Sequence, residues 1–265
     1  MGDWRRYDSV AEDYDRLWGP RFETAAGHLL AFAPPAPGSR LLDLGAGTGA
    51  VASALGDRLE DLVVVACDLS RPMLTRARRR MPTLRTVLAD ATLLPFRGGS
   101  FDLVTGNCVL SHVRDFRQAL AESLRVLSRP GRLALSSWGA ASDPYAAAWE
   151  ELLAATVGQG ALARATEAVT PWGSRFSKVE SLRTDLLEAG FSRVWTATVE
   201  MGVRCRVDAY LAERQLGAAG RFGREALGRD RWRSFLEQAA DQLRHRFGNE
   251  VAYARPLVVG AAAVE

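Results

Sequence analysis

Ten consecutive residues, Leu41-Leu42-Asp43-Leu44-Gly45-Ala46-Gly47-Thr48-Gly49-Ala50, carry an acid to the end of an apolar run and follow it with three alternating glycines. Glycine permits positive φ and has no Cβ, so such a turn lets the backbone touch a ligand and cradle a nucleoside-bearing cofactor. The spacing also meets the looser dinucleotide fingerprint, with Ala50 in place of the third glycine and Asp68 following at a suitable distance. Asp43 argues the other way. A carboxylate at this strand end repels a pyrophosphate and suits a ligand bearing an ammonium and a sulfonium. Two further acids, Asp68 and Asp90, close later apolar runs, and Asn107 and His112 follow another.

The elements that must hold these residues alternate along the chain. Tyr7, Val10, Ala11, Tyr14, Leu17 and Trp18 recur at helical spacing up to Pro20, and a second short helix runs from about Phe22 to Phe32. Strands are expected over 40–44, 62–67, 83–89, 101–106 and 132–137. Helices fall between them: from the glycine turn to about Leu59, from a Ser70 cap to Pro82, and from an Asp115 cap to Pro130-Gly131. Five alternations predict an α/β, doubly wound, mostly parallel sheet. Past Trp138 a helical excursion opens at Asp143-Pro144, and Ser177-Lys178-Val179-Glu180 reads as a capping box. A strand over 191–200, a helical insertion over about 207–247 and a final antiparallel strand over 251–261 follow. Pro256 is an unusual residue for that last strand. In an open parallel sheet ligands lie beyond the carboxyl ends of the strands, where all the candidate residues fall.

This segment resembles the class I S-adenosylmethionine-dependent methyltransferases, whose first motif is an acid followed by Gly-x-Gly-x-Gly, here Asp43, Gly45, Gly47 and Gly49. Between Tyr7 and Trp138 the likeness is to the ubiquinone/menaquinone-biosynthesis-type enzymes that act on small molecules. The resemblance implies a Rossmann-like sheet of seven strands with an antiparallel last strand, and S-adenosylmethionine as cofactor. It assigns Asp68 to the ribose hydroxyls and Asp90 with the amide of Ala91 to adenine, with Leu69 and Ala91 giving apolar contact to the base. The Gly45-Ala46-Gly47 backbone and that of Asn107 would face the methionyl part. Tyr7 and Tyr14 match the family's leading Tyr-x-x-x-Ala-x-x-Tyr-Asp helix, which closes over the cofactor carboxylate. Both are also placed to pack that helix on the sheet. One domain over 1–265 is expected, with a helical cap at 1–35, a cofactor core at 36–140, lid insertions at 141–190 and 201–248, and final strands at 191–200 and 249–262.

Of the three histidines only His112 lies on the loop after the fourth strand, where a base would meet the acceptor. A structural role beside the cofactor is the other reading. The substrate side would draw on Trp18, Trp138, Tyr145, Trp149, Trp172, Phe176, Phe222 and Trp232, which suits an apolar or aromatic small molecule, methylated at oxygen or carbon rather than nitrogen. Two other readings remain: a protein of this fold that binds the cofactor for a non-methylating reaction, and an RNA methyltransferase. The second lacks a Pro-Pro-Tyr-type tetrapeptide after the fourth strand, where Asn107-Cys108-Val109-Leu110 stands.

The net charge is +3, and 33 of the 34 basic residues are arginine, a bias that fits a GC-rich, actinomycete-type genome and a biosynthetic pathway better than a nucleic-acid surface. Arg221, Arg224, Arg229, Arg231 and Arg233 read as a solvated helix face. Cys67, Cys108 and Cys205 are too scattered for a disulfide framework or a metal site. No apolar run nears the roughly 18 residues that span a bilayer, and the N-terminal residues are polar, so a cytoplasmic protein without membrane partner is expected, with a homodimer compatible.

Overall fold

A computed structural model describes residues 7–140 and 143–264. The polar start at 1–6 and the first residues of the expected lid at 141 lie outside them. Seven strands, β1 (Arg40–Leu44), β2 (Val63–Asp68), β3 (Arg85–Leu88), β4 (Phe101–Asn107), β5 (Leu127–Trp138), β6 (Arg193–Arg206) and β7 (Glu250–Ala263), form one sheet in the order β3-β2-β1-β4-β5-β7-β6. The first five pair in parallel, while β7 is antiparallel to both of its neighbours. Strand order reverses between β1 and β4, which opens a crevice at their carboxyl ends.

Buried parallel strands must be apolar on both faces, and Leu41, Leu42 and Leu44 are all buried. On one face the strands pack against α1 (Ala11–Phe32), α2 (Ala50–Leu55) and α3 (Arg71–Arg80), through Leu29, Val51, Leu55, Leu74 and Ala77. On the other face lie α4 (Phe116–Val126), α7 (Gly173–Phe176) and α8 (Val179–Glu188), through Phe116, Leu120, Phe176, Leu182 and Leu186. A third core joins α5 (Pro144–Val157), α6 (Gln159–Val169), α9 (Val207–Arg214) and α10 (Ala218–Phe247). Helices α7 and α8, expected in the first insertion, thus pack on the sheet, whereas the helices of 144–169 and 207–247 form one layer. At its centre Trp149 meets Trp232 edge-on at 5.9 Å, and Trp232 stacks on Phe235 at 5.1 Å.

Several local expectations need correction. Pro20 does not end a helix but sits inside α1. The residue before it is Gly19, whose missing Cβ removes part of the clash that bars α geometry before proline. The helix after the glycine turn is shorter than expected, because Gly56 adopts φ +55° and a 3-10 segment Gly56–Asp61 follows. Ser177 does not form a capping box: its hydroxyl donates to the carbonyl of Ser174, and Lys178 takes the cap position of α8. By contrast Ser70, Asp115 and Asp143 each accept hydrogen bonds from backbone N–H groups of the next turn, as caps do. Strand β6 runs six residues beyond its expected end at Glu200, and its pairing with β7 continues past the end of β5 as a two-stranded ribbon to Arg206 and Glu250. Pro256 is tolerated where Glu200 faces it, beyond the last β5 pair at Leu257. Among the described residues no helix is long and apolar enough to cross a membrane.

Candidate active site

The first turn after β1 is built by glycine. Gly45, Gly47 and Gly49 have φ of +61°, +55° and +90°, all in the left-handed region. Ala46 N–H donates to the carbonyl of Cys67 and Gly47 N–H to Asp68 Oδ2, at 3.0 and 2.8 Å, so the turn is pinned to the end of β2. Asp68 Oδ1 also accepts from Ser70 N–H at 2.7 Å. Burial raises the Asp68 pKa, and the N–H groups of Ser70 and Gly47 counter that rise.

A cavity of about 650 Å³ opens beside this turn. Of the residues expected at the site, Tyr14, Gly45, Gly47, Asp68, Leu69, Asp90, Ala91, Asn107 and His112 line it. Asp43 and Ala46 do not. Asp43 lies behind the turn, almost wholly buried, where it accepts from the Thr105 hydroxyl at 2.9 Å. Burial pushes its pKa up to about 7; Thr105 opposes the shift and the charge of Asp68 adds to it. Asp90 Oδ1 accepts from both the backbone N–H and the hydroxyl of Thr92, at 2.8 Å each. The Asn107 side chain joins α1 to the ends of β4 and β5, since its Nδ2 donates to the carbonyl of Phe22 and its Oδ1 accepts from the Ser136 hydroxyl.

Cys108, at φ +57°, is the described non-glycine residue with positive φ. Its N–H donates to both the carbonyl and the hydroxyl of Ser136, which holds the chain in this bend on leaving β4. Burial pushes its thiol up to about 12, so it is no thiolate nucleophile. His112 Nδ1 lies 3.1 Å from the carbonyl of Val169, so in the neutral ring that nitrogen carries the proton. Burial lowers its pKa to about 4, and the positive charge of Arg221 acts in the same direction.

The cavity wall from α1 is aromatic. Tyr7 meets Tyr14 edge-on at 5.5 Å, Tyr14 stacks on Phe22 at 5.4 Å, and Trp18 and Trp138 pack against Phe22 at 5.7 Å each. The other aromatics expected on the substrate side are elsewhere. Tyr145, Trp149, Phe176 and Trp232 are buried in cores, and Trp172 packs on Phe116. Arg221 overturns its reading as part of a solvated face. It is buried, lies 4.1 Å over the Tyr7 ring and donates to the carbonyl of Leu216. Arg224, Arg229, Arg231 and Arg233 remain exposed. Sequence reasoning also missed Asp8, Thr92, Ala168 and Val169 as lining residues. Asp8 adjoins the Tyr7 motif and could have been included on that signal, whereas Ala168 and Val169 carry no chemical mark at all.

The charge of the lining tests what it can hold. Among the described residues, Asp8, Asp68, Asp90 and Asp115 face the cavity against the single cation Arg114. Such a wall accommodates a ligand with positive charge and opposes a pyrophosphate. The glycine turn lines the cavity with backbone, and Asp68, each of whose oxygens accepts one backbone N–H, keeps lone pairs for further donors. The residues fit S-adenosylmethionine.

A family model described as a methyltransferase domain matches residues 42–135. Demethylmenaquinone methyltransferase of Beutenbergia cavernae is 40% identical over 54% of this chain and 56% of its own length. The chain thus spans little more than half of that relative. Demethylmenaquinone methyltransferase of Clavibacter sepedonicus is 34% identical over 74% of this chain and 85% of its own. The structure of Haemonchus contortus phosphoethanolamine N-methyltransferase 2 in complex with S-adenosyl-L-methionine superposes with a TM-score of 0.60 at 17% identity, covering 99% of this chain and 60% of that one. That likeness speaks to the fold. With a relative matched over most of its length and a site whose turn and acids suit the family's cofactor, the chain belongs to the class I S-adenosylmethionine-dependent methyltransferases of the ubiquinone/menaquinone type.

Proposed function

We propose that this chain transfers a methyl group from S-adenosylmethionine to a small apolar or aromatic metabolite, at oxygen or carbon. The observation that carries this reading is that one cavity joins the glycine turn and Asp68 on one side to the aromatic wall of Tyr14 and Phe22 on the other. Asp68 would hold the ribose hydroxyls, Asp90 and the amide of Ala91 the adenine, and the Gly45 and Gly47 backbone the methionyl part, with Tyr14 covering it. When bound, the cofactor supplies an electrophilic methyl on a sulfonium, open to in-line displacement. The protein's share is alignment and exclusion of water, which alone can account for several kcal/mol of barrier.

Calorimetric titration with S-adenosylmethionine, S-adenosylhomocysteine and NAD tests the cofactor. The first two are expected to bind, with affinity lowered at least about tenfold in Asp68→Ala, the range for losing hydrogen bonds to a charged group. Binding of NAD alone overturns the reading.

His112 is too weak a base to hold a proton near neutral pH, so an acceptor that is acidic or already ionised fits this site best. We expect His112→Gln to retain turnover within about threefold, with S-adenosylhomocysteine affinity kept; general bases contribute about 10²- to 10⁴-fold. A loss beyond about a hundredfold at unchanged affinity would restore the histidine as the base.

A further inference from the structure

We propose that Arg255, laid on the ring of Trp138, anchors a carboxylate carried by a planar acceptor that reaches past Phe22 and Cys108, two lining residues of the cavity, to this guanidinium, which stands outside that lining. Calling that ligand an acceptor rests on the methyl-transfer reading; the anion site itself does not.

Arg255 lies on β7 opposite Met201 of β6, two residues before Leu257, which pairs with Trp138 at the carboxyl end of β5. It is therefore at the ligand side of the sheet. Its guanidinium carbon is 4.3 Å from the Trp138 ring centroid. Trp138 packs on Phe22 at 5.7 Å, and Phe22 and Cys108 both line the cavity. The other two arginines of this region have anionic partners: Arg21 with Glu213 at 2.7 Å, and Arg214 with Asp143 at 2.9 Å. Among the described residues Arg255 makes no ion pair and no side-chain hydrogen bond; its contact is the tryptophan face. Burial, and then the charge of Arg214, lower its pKa, with Arg21 adding to the fall and Tyr253 and Cys108 opposing it.

The charge of Glu213 also reaches this group, but its contact partner is Arg21; a partly buried guanidinium with no carboxylate in contact is costly unless a ligand completes it. A second donor nearby is also unfulfilled: among the described residues the Trp18 indole N–H is buried and has no acceptor, and Trp18 packs on the same Phe22 ring. Planar aromatic faces beside a flat, forked donor match a flat, singly charged anion. The guanidinium fork takes a carboxylate through two parallel hydrogen bonds, and among apolar rings one cation balances one charge, which favours a carboxylate over a phosphate dianion. Because Arg255 would bond the carboxylate, that group is the handle and the methyl goes to another atom of the acceptor.

The test uses 2-naphthoate and its neutral counterpart 2-naphthamide, titrated into the whole chain with and without saturating S-adenosylhomocysteine. The carboxylate is expected to bind at least about tenfold more tightly than the amide in the wild type, as for a hydrogen-bonded charge pair. Arg255→Gln should erase that preference, and Arg255→Lys should keep part of it. Arg255→Gln should also raise the melting temperature, since it removes an uncompensated charge; an arginine that served packing alone would lower it. Equal binding of the two compounds, no binding of either, or a preference that survives in Arg255→Gln overturns the proposal. Failure of S-adenosylhomocysteine to bind while the preference holds would instead sink the methyl-transfer reading and leave the anion site standing.

Discussion

Asp43→Asn is expected to make the protein more stable at pH 8 by about 2–4 kcal/mol and at the same time to weaken cofactor binding about tenfold or more. The stability effect follows from burial. The Asp43 carboxyl titrates at about 7 in the folded protein against the usual 3.8. A group whose folded pKa lies above its unfolded value contributes stability that is fully present below the unfolded pKa and is lost as pH rises toward the folded one. The wild type therefore loses this contribution between about pH 4 and 7, while asparagine, which can still accept from Thr105, does not. A displacement of about three pH units, at about 1.36 kcal/mol for each, sets the upper limit at about 4 kcal/mol. The new amide donors, for which no acceptor is provided, reduce the gain. Urea unfolding at pH 4.5 and 8 checks the sign: the variant's advantage should be small at the lower value and large at the higher. No advantage at pH 8 would mean that Asp43 is not destabilised by its burial. A positively charged cofactor favours the ionised carboxylate, so binding at pH 7 should release up to about half a proton, read from the dependence of binding enthalpy on the buffer's own ionisation enthalpy. In Asp43→Asn that release should vanish.

Gly45→Ala should cost about 3 kcal/mol or more and abolish cofactor binding, whereas Gly47→Ala should cost only about 1–2 kcal/mol in the free protein yet also lose binding. Both positions have positive φ, which carries a penalty of about 1–2 kcal/mol for any residue with a Cβ. They differ in surroundings. A Cβ on Gly45 would sit 2.8 Å from the Cβ of Val109 and closer still to its Cγ2. Val109 is β-branched and stiff at χ1, so it cannot swing aside easily. A Cβ on Gly47 would meet nothing nearer than the Gly45 carbonyl at 4.0 Å, and since Gly47 lines the cavity it would occupy the ligand's space. Thermal melting with and without S-adenosylhomocysteine separates the two. A Gly45→Ala/Val109→Ala double variant should recover the packing part of the loss and keep the backbone part. Equal melting of Gly45→Ala and wild type would show that the turn can rearrange.

The central strands were legible in the sequence because a parallel sheet buried on both faces writes them as apolar runs, one of which Asp68 stops, whereas β3 before Asp90 is a half-exposed edge strand and could be read only from its place in the strand–helix alternation. Asp115 and Ser70 were legible as caps for the same local reason: the bonds they make reach only three residues onward. What was not legible depends on distant partners. Arg221 looks like any exposed arginine of a polar helix until Tyr7, far away in sequence, is laid against it. The ribbon beyond Glu200 did carry a signal that sequence reasoning passed over: Met201, Val203 and Cys205 alternate with Gly202, Arg204 and Arg206 in the period of a strand exposed on one face. Trp149 and Trp232 looked like a binding surface, since nothing local says that two insertions will bury them against each other. In the site, chemistry-bearing side chains could be read, whereas the wall formed by Ala168 and Val169 could not.

The chain leaves the sheet at Arg206 and rejoins it at Glu250, and these two residues are direct partners in the β6–β7 ladder. Paired strand residues have Cα atoms only about 4.5–5.5 Å apart, so everything between them hangs from one narrow neck. A two-residue turn would span that neck. Evolution can thus graft, enlarge or discard the α9–α10 segment without re-registering the sheet, provided that α5 and α6, which share its core, change in concert. The sheet and its glycine turn then stay as they are while the helical layer hung from that neck is traded, which is one physical route by which a single fold comes to serve many activities.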